Sequence, residues 1–332
     1  PEAFRNLIDL LVDRGFNYIV TNLYAHLGFS EVGHPSVFGP PKHYVFGGTN
    51  EQPDHSRLNL EFFRGFDSVM DHLHAKGVVV HLMLSVQNKH VNWPEPQSVE
   101  DDLYWRYAVS RYQAYPNLVW DVGKESYYLL RRFGSHEYTL DRIRLIREAD
   151  AYRHLVTVHD SDEGAKAEES AADAACDFVS DQVHLGDPAA YVREAARRFA
   201  AASKPYMNIE YGYEEGVEAI KTYTSDTTSS WQDVLLWTYA VYFGGGYPCY
   251  YYSNAAWDLI KFEPEPPGWP RYRYLRDLLR STDFNALAPR SELVSRGFCL
   301  AEPGRQYLIF LPEGGGTEID LTGAAESADI EC

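Results

Sequence analysis

The 332-residue sequence predicts an α/β fold, a (β/α)8 barrel followed by a small antiparallel β-domain. Amphipathic helical stretches alternate with short apolar runs, which is typical of βα units and a parallel sheet. A barrel of about 250 residues needs roughly 31 residues per unit, and the observed spacing fits this. The doubly wound alternative would need an early G-x-G-x-x-G turn, and Gly244–Gly246 comes late and lacks that spacing.

The first element is predicted to be a helix with Phe4, Leu7, Ile8 and Leu11 on one face, ending at Gly15. No strand precedes it. We therefore expect that the first barrel strand is missing because the chain is a fragment, or that the barrel closes in an unusual way. A second helix is predicted over residues 62–76. Seven strands are predicted, and a missing first strand would make eight; they cover residues 16–24, 78–84, 118–122, 155–159, 178–184, 206–210 and 247–252.

The C-terminal part is predicted to form a separate small β-domain. A last barrel helix around Leu275, Leu278 and Leu279 leads into a predicted linker over residues 286–290. Short strands with Gly and Pro turns are predicted after it at residues 298–301, 306–311 and 317–321. We therefore divide the chain into a catalytic domain of residues 1–285 and a β-domain of residues 286–332. Three strands are few for an independent domain, so we expect it to be incomplete.

Composition excludes several classes of function. The formal net charge of −18, with no basic run, argues against nucleic acid and anionic membrane surfaces as partners. No apolar run approaches the roughly 20 residues that span a bilayer. The four cysteines predict neither a disulfide framework nor a zinc site, because they are scattered without regular spacing: Cys176, Cys249, Cys299 and Cys332.

Two carboxylates that follow predicted strands are the candidate catalytic groups. Glu125 comes after an apolar strand that contains Trp120, and such surroundings suit a carboxyl that donates a proton to a leaving sugar oxygen. Glu210 ends another strand, and its polar neighbours suit an ionised nucleophile. Cleavage of a glycosidic bond needs two carboxyl groups with these opposite duties. The sequence therefore predicts a glycoside hydrolase.

Each carboxylate also has a purely structural interpretation. Glu125 could be a surface residue at a helix N-terminus, beside a capping Ser126. Glu210 could belong to an acidic loop with Glu214 and Glu215, and Glu214 is the reserve candidate for the nucleophile.

Other polar and aromatic side chains are predicted to contact the substrate. His81 has the alternative of a satisfied core residue, and the aromatic residues could equally fill the core, although aromatic rings also stack on sugar faces. The candidates from strand ends and the aromatic segments are Asn22, Tyr24, His81, Trp120, His159, Tyr211, Tyr252 and Trp257.

The long loop over residues 25–60 is predicted to cover the sugar site, since loops of this length on compact barrels are usually functional. It contains His26, His34, His43 and His55, whose spacing matches no ligand pattern. We therefore predict no metal and no cofactor.

An ordered set of segments resembles the apiosidase-like (β/α)8 glycoside hydrolases, which are related to the retaining clan of cellulases and β-mannanases. The resemblance covers residues 1–285 and rests on NLVWDVGKES (117–126), DFVSDQVHLGD (177–187), KPYMNIEYGYEEG (204–216) and GGGYPCYYYSNAAW (244–257). It implies that Glu125 is the acid/base, that Glu210 is the second catalytic carboxylate, and that Gln182 and His184 contact the substrate. It also implies secretion or a periplasmic location.

The sequence departs from the resemblance at Lys124. The wider clan usually has Asn there, which binds the sugar hydroxyl next to the anomeric carbon, and apiosidase-like relatives often have Gly. Lys124 could pair with a substrate carboxylate, such as that of a uronic acid, or form only a structural ion pair.

The sequence is therefore compatible with three functions. The first is a glycoside hydrolase that acts on a plant or bacterial polysaccharide or oligosaccharide through Glu125 and Glu210, with retention. The second is a catalytically silent carbohydrate-binding barrel in which Lys124 neutralises Glu125. The third is a metal-dependent barrel hydrolase that uses the loop histidines. Oligomeric state, sugar and linkage are left open.

Overall fold

The structure, a computed structural model, describes residues 2–26, 42–87, 89–161, 174–202, 204–216, 228–255 and 262–324. The helices in these ranges are α1 (Glu2–Asp13), α2 (Leu60–Ala75), α3 (Val99–Tyr112), α4 (Tyr127–Phe133), α5 (Glu137–Ala149), α6 (Pro188–Ala202), α7 (Trp231–Phe243) and α8 (Tyr272–Arg280). The strands are β1 (Tyr18–Asn22), β2 (Phe46–Gly48), β3 (Pro53–Leu58), β4 (Val79–Val86), β5 (Leu118–Lys124), β6 (Leu155–Thr157), β7 (His159–Ser161), β8 (Val179–Gln182), β9 (Tyr206–Asn208), β10 (Tyr213–Glu214), β11 (Thr228–Ser229), β12 (Tyr247–Pro248), β13 (Tyr251–Tyr252), β14 (Ala288–Pro289), β15 (Phe298–Glu302) and β16 (Gln306–Phe310).

Two four-stranded parallel sheets form the barrel wall. The first has the order β1-β4-β5-β6 and the second the order β7-β8-β9-β12. Only Val158 separates β6 from β7, so the chain itself joins the two sheets. Beyond the second sheet, β10 pairs in parallel with β11 and β13. The two ends of the wall approach each other, because the rings of Phe16 and Tyr250 stack with centroids 5.5 Å apart.

Each of the seven predicted barrel strands overlaps an observed strand, and helices lie in five of the six intervals between them within the described residues. Helix α2 begins at Leu60, where the side chain of Asn59 accepts a hydrogen bond from the Glu61 backbone NH and so caps the first turn. The predicted α/β class with parallel sheets is confirmed. An eighth strand ahead of residue 1 stays a prediction.

The apolar core lies between the first sheet and the helices that follow its strands. Apolar side chains of β4 and β5 pack against residues of α2, α3 and α5, all buried: Phe63, Met70, Trp105, Val109 and Ile146 are among them. This packing fixes β4 and β5 firmly. The side chains that follow these two strands therefore start from a rigid base.

The C-terminal segment forms an antiparallel sheet with the order β14-β15-β16. Two of its strands were predicted, but the third was placed wrongly. Residues 317–321 contribute only an isolated bridge between Ile319 and Val294. The predicted linker instead supplies β14, and Pro289 is tolerated there because β14 is an edge strand.

Within the described ranges, no helix combines the length and the apolar character that crossing a bilayer requires.

Candidate active site

Both candidate carboxylates lie at the carboxyl edge of the barrel wall. Val86 and Lys124 are register partners at the ends of β4 and β5, and Glu125 follows directly. Glu210 comes two residues after the end of β9. The carboxyl ends of parallel strands meet at one edge, where barrel enzymes build their active sites. The residues that were predicted from two distant sequence segments therefore converge.

Glu125 adopts an unusual backbone conformation. Its φ is +53°, in the left-handed region that non-glycine residues rarely occupy. The structural alternative, in which Ser126 caps the following helix, does not describe this turn: Ser126 makes no side-chain cap and donates its Oγ–H to Asp160 Oδ1 at 2.7 Å. A strained backbone at a buried carboxylate is typical of functional sites.

The ammonium of Lys124 bridges the two carboxylates. Its Nζ lies 2.9 Å from Glu210 Oε2 and 3.1 Å from Glu125 Oε1. These two oxygens are therefore at most about 6 Å apart, a limit that is compatible with the separation of about 5 to 5.5 Å found between the carboxyl groups of retaining glycosidases. All three side chains are buried, with 7% (Lys124), 8% (Glu125) and 4% (Glu210) of their residue surface exposed.

Glu210 is held ionised by its neighbours. Burial alone would raise its pKa, but the charge of Lys124 and hydrogen bonds from Tyr213 and Lys124 lower the pKa to about 2. In turn, the two carboxylates raise the pKa of Lys124 against the opposing effect of burial. The pair is therefore a carboxylate and an ammonium throughout the neutral range.

Gln182 connects Glu210 to two histidines. Glu210 Oε1 can only accept, so the Gln182 Nε2 amide faces it at 3.2 Å and also donates to His184 Nε2 at 3.2 Å. Gln182 Oε1 then accepts from His159 Nε2 at 3.2 Å. Burial and the charge of Lys124 lower the pKa of His159 to about 3, so this histidine is neutral. The structure thus brings four predicted site residues into one hydrogen-bonded group.

His81 and Trp120 have structural contacts instead of substrate-facing ones. His81 is completely buried, accepts a hydrogen bond from Tyr18 OH at Nδ1 (2.7 Å) and contacts Asp121 Oδ2 through Nε2 at 2.6 Å. Trp120 is also fully buried and donates its indole NH to Asp150 Oδ2 at 3.1 Å. The substrate-binding roles predicted for both do not fit these positions, because no surface of either side chain is available to a ligand.

The tyrosine next to Glu210 was also assigned wrongly. Tyr211 points toward the helices, where its hydroxyl contacts Thr238 Oγ1 at 2.5 Å. Tyr213 instead donates to Glu210. Gly212, with a φ of +148°, turns the chain between the two tyrosines.

The reserve nucleophile Glu214 is a structural residue, because Tyr250 OH (2.6 Å) and the Gly268 NH (2.9 Å) donate to it.

Three further predicted residues lie at or near the carboxyl edge. Asn22 ends β1, and Tyr24 follows with its ring edge-on to Phe62 and Trp93. In the described part of the chain, Asn22 Oδ1 and Tyr24 OH are both buried without a hydrogen-bond partner, and their predicted contact with the substrate stays a prediction. Tyr252 is buried against the edge of Trp269, which makes it a packing residue. Trp257 lies outside the described residues.

Lys89 is a site residue that sequence reasoning missed. It lies three residues after the end of β4, is 9% exposed, and interacts electrostatically with Lys124, Glu125 and Glu210. The sequence could have indicated it, because Lys89 follows the end of a predicted strand, and Glu125 and Glu210 also lie at or after such ends.

Metal ligands do not cluster in the part of the chain that the structure describes: no three His, Cys, Asp or Glu side chains could hold an ion together. His55 contacts the Asn92 backbone carbonyl at 2.8 Å, and His26 lies near Asn50. His34 falls outside the described residues, together with the rest of residues 27–41 of the long predicted loop.

Solved structures share this fold. A glycoside hydrolase family 5 protein from Bacteroides vulgatus superposes with a TM-score of 0.72 at 15% identity, covering 98% of this chain and 76% of its own. A presumed glycoside hydrolase from the same organism gives 0.67 at 19% identity and covers 85% of this chain, which spans about half (54%) of that protein. A GH113 β-1,4-mannanase gives 0.54 at 15% identity, with coverage of 85% and 94%.

No curated protein matches this chain in sequence. The family model described as "Apiosidase-like, catalytic domain" matches residues 2–284. Since this match covers most of the chain, the chain belongs to the apiosidase-like family and has the catalytic domain of a glycosidase.

Proposed function

We propose that this chain hydrolyses a plant or bacterial polysaccharide or oligosaccharide with retention of configuration, using Glu125 as acid/base and Glu210 as nucleophile. The observation that carries the proposal is the Lys124 bridge, which limits the distance between the two carboxylates. Inverting enzymes need about 6.5 to 9.5 Å between these groups to admit a water. A single ammonium that contacts both carboxylates favours the shorter, retaining arrangement.

The chemistry has two steps. In the first, ionised Glu210 attacks the anomeric carbon, and Glu125 gives its proton to the departing glycosidic oxygen. This forms a glycosyl ester on Glu210 and leaves Glu125 as a carboxylate. In the second, Glu125 takes a proton from water as the water attacks the same carbon, and the Glu210 ester bond breaks.

Lys124 suits both steps because one negative charge alternates between the two carboxylates. Before the first step the charge resides on Glu210, and after it on Glu125. Lys124 Nζ is within ion-pair distance of both, so it can compensate the charge at each stage.

The proposal also includes features that rest on resemblance or on sequence patterns. We place the catalytic domain at residues 1–285, with an eight-stranded barrel whose first strand precedes residue 1. Secretion or a periplasmic location follows from the resemblance alone. The substrate is a carbohydrate, and neither the sugar nor the linkage is specified by the fold.

The test is reducing-sugar release from a panel of plant and bacterial glycans. The panel includes β-1,4-mannan, since one structural relative is named as a β-1,4-mannanase. We expect the parent chain to act on at least one glycan, and Glu125→Gln and Glu210→Gln each to lose roughly a thousandfold or more. The control is Glu214→Gln, which alters a neighbouring buried carboxylate outside the proposed pair. Release that survives in both pair variants would refute the assignment, and a silent parent would favour the binding-only barrel.

A further inference from the structure

One buried cation of the site has no hydrogen-bond or ion-pair partner among the described residues. In the described part of the chain, Lys89 makes no hydrogen bond or ion pair, although 91% of its residue surface is buried. Burying an ammonium without a partner is costly. Its neighbour Lys124, by contrast, is compensated by two carboxylates.

The position of Lys89 places it beside the reacting groups. It follows the end of β4, and Val86 at that end is the register partner of Lys124. The charged groups that interact with Lys89 are Lys124, Glu125 and Glu210. Burial and the charge of Lys124 lower its pKa from the ordinary value of 10.5, and the two carboxylates oppose this change.

The two lysines of the site carry one positive charge more than the two carboxylates balance in the proposed mechanism. In the proposed mechanism, one of the two carboxylates is always neutral, either protonated or esterified. Lys124 then balances the remaining carboxylate, and the charge of Lys89 is uncompensated. An anionic group on the substrate would complete the balance and supply the missing partner.

We propose that Lys89 binds the carboxylate of a uronic acid, so that the site selects an acidic sugar at or next to the cleaved bond. This inference rests on the proposed function, which supplies the charge states of the two carboxylates, but the binding itself is measured without hydrolysis. It moves the substrate-carboxylate role from Lys124, which is already paired within the protein, to Lys89.

The experiment is calorimetric titration with two pairs of sugars that differ only at C6: D-galacturonate against D-galactose, and D-glucuronate against D-glucose. We expect the parent chain to bind one uronate at least about tenfold more tightly than its neutral partner, as one charge-assisted hydrogen bond can provide. Lys89→Met and Lys89→Gln should both abolish the preference. Lys42→Met, which removes an exposed lysine, is the matched control and should keep it.

Thermal unfolding shows whether the variants are folded. Lys89→Met should keep the parent's midpoint or raise it, because it removes a buried charge that has no partner in the described part of the chain. A clearly lower midpoint in both variants would contradict the idea that Lys89 is unpaired, and with it the proposal.

The remaining outcomes also decide the question. No preference for a uronate in the parent, or a preference that persists in both Lys89 variants, would overturn the inference. Tighter binding of D-galactose 6-sulfate than of D-galacturonate would overturn the assignment to a carboxylate. Uronate preference that depends on Lys89, in a chain that cleaves no glycan of the panel, would support this inference while the proposed hydrolase function fails.

Discussion

At the scale of single residues, the site depends on the ion pairs that Lys124 makes with Glu125 and Glu210. Glu210 is buried, and burial works against its charge. Lys124 reverses this effect through a contact of 2.9 Å. The departure from the family pattern at this position therefore supplies a partner for the proposed nucleophile.

Removing that charge should change the pH dependence of activity. The pKa of Glu210 is about 2 with Lys124 present, so the nucleophile is ionised at any pH well above 2. In Lys124→Met, burial is less opposed and the pKa rises. We expect the acidic limb of the kcat/KM profile to move up by at least about one pH unit.

Lys124→Arg is the control, since it keeps a positive charge beside Glu210. Its acidic limb should stay closer to that of the parent chain than the limb of Lys124→Met does. An acidic limb that is identical in the parent and Lys124→Met would show that Lys124 does not set the ionisation of Glu210.

Sequence patterns predicted these residues unevenly, for a physical reason. Glu125 and Glu210 were predictable because both follow apolar strands, and strand ends meet at one edge. The pairing of Lys124 with Glu210 was not predictable, because Glu210 lies 86 residues further along the chain. Only the closed barrel wall brings the two residues together. The choice between Tyr211 and Tyr213 depended on the turn at Gly212, which strand alternation does not reveal.

At the scale of elements, the site depends on the close approach of β4 and β5. Gly123 and Ser85 are register partners, and Ser85 Oγ donates to the Val122 carbonyl at 2.8 Å. A Cβ at Gly123 would lie 2.2 Å from Ser85 Oγ and 2.7 Å from the Ser85 backbone oxygen. Only glycine allows this contact, one residue before Lys124.

Gly123→Ala should therefore damage the site more than the fold. The added methyl pushes β5 away from β4 and displaces Lys124 and Glu125. We expect the free energy of unfolding to fall by about 1–3 kcal/mol, as in other overpacked cores. We expect kcat/KM to fall about a hundredfold, because small displacements of catalytic groups are costly.

The matched control is Gly65→Ala in α2, where an added Cβ meets no atom within 4 Å. It should raise the free energy of unfolding by about 0.5–1 kcal/mol and leave activity intact. Full activity of Gly123→Ala would show that the spacing of β4 and β5 does not position the carboxylates.

At the scale of the whole molecule, the C-terminal sheet shares a core with the barrel. Leu300 and Phe310 pack in one apolar cluster with Trp237 and Phe243 of α7. The ring of Phe310 also stacks on Tyr239 with centroids 5.8 Å apart. Periodicity located β15 and β16 in the sequence, but it could not indicate that they rest on α7.

This packing predicts one cooperative unfolding transition. Phe310→Ala should lower the free energy of unfolding by about 3–5 kcal/mol, the usual cost of removing a buried phenylalanine. Calorimetry should show the single transition moving to lower temperature. Ile309→Ala is the control, because Ile309 is exposed on the other face of β16 and should have little effect. Two separate transitions, with only the smaller one shifted, would mean that residues 286–332 unfold independently.

In the proposed mechanism, Glu125 and Glu210 are held close by Lys124 and cleave a glycosidic bond with retention. The most direct measurement is proton NMR of the first product formed from a glycan that the panel identifies, recorded before mutarotation mixes the anomers. We expect this product to have the same anomeric configuration as the bond that was cleaved. A product of the opposite configuration would contradict this mechanism, because inversion needs a water between two more widely separated carboxyl groups.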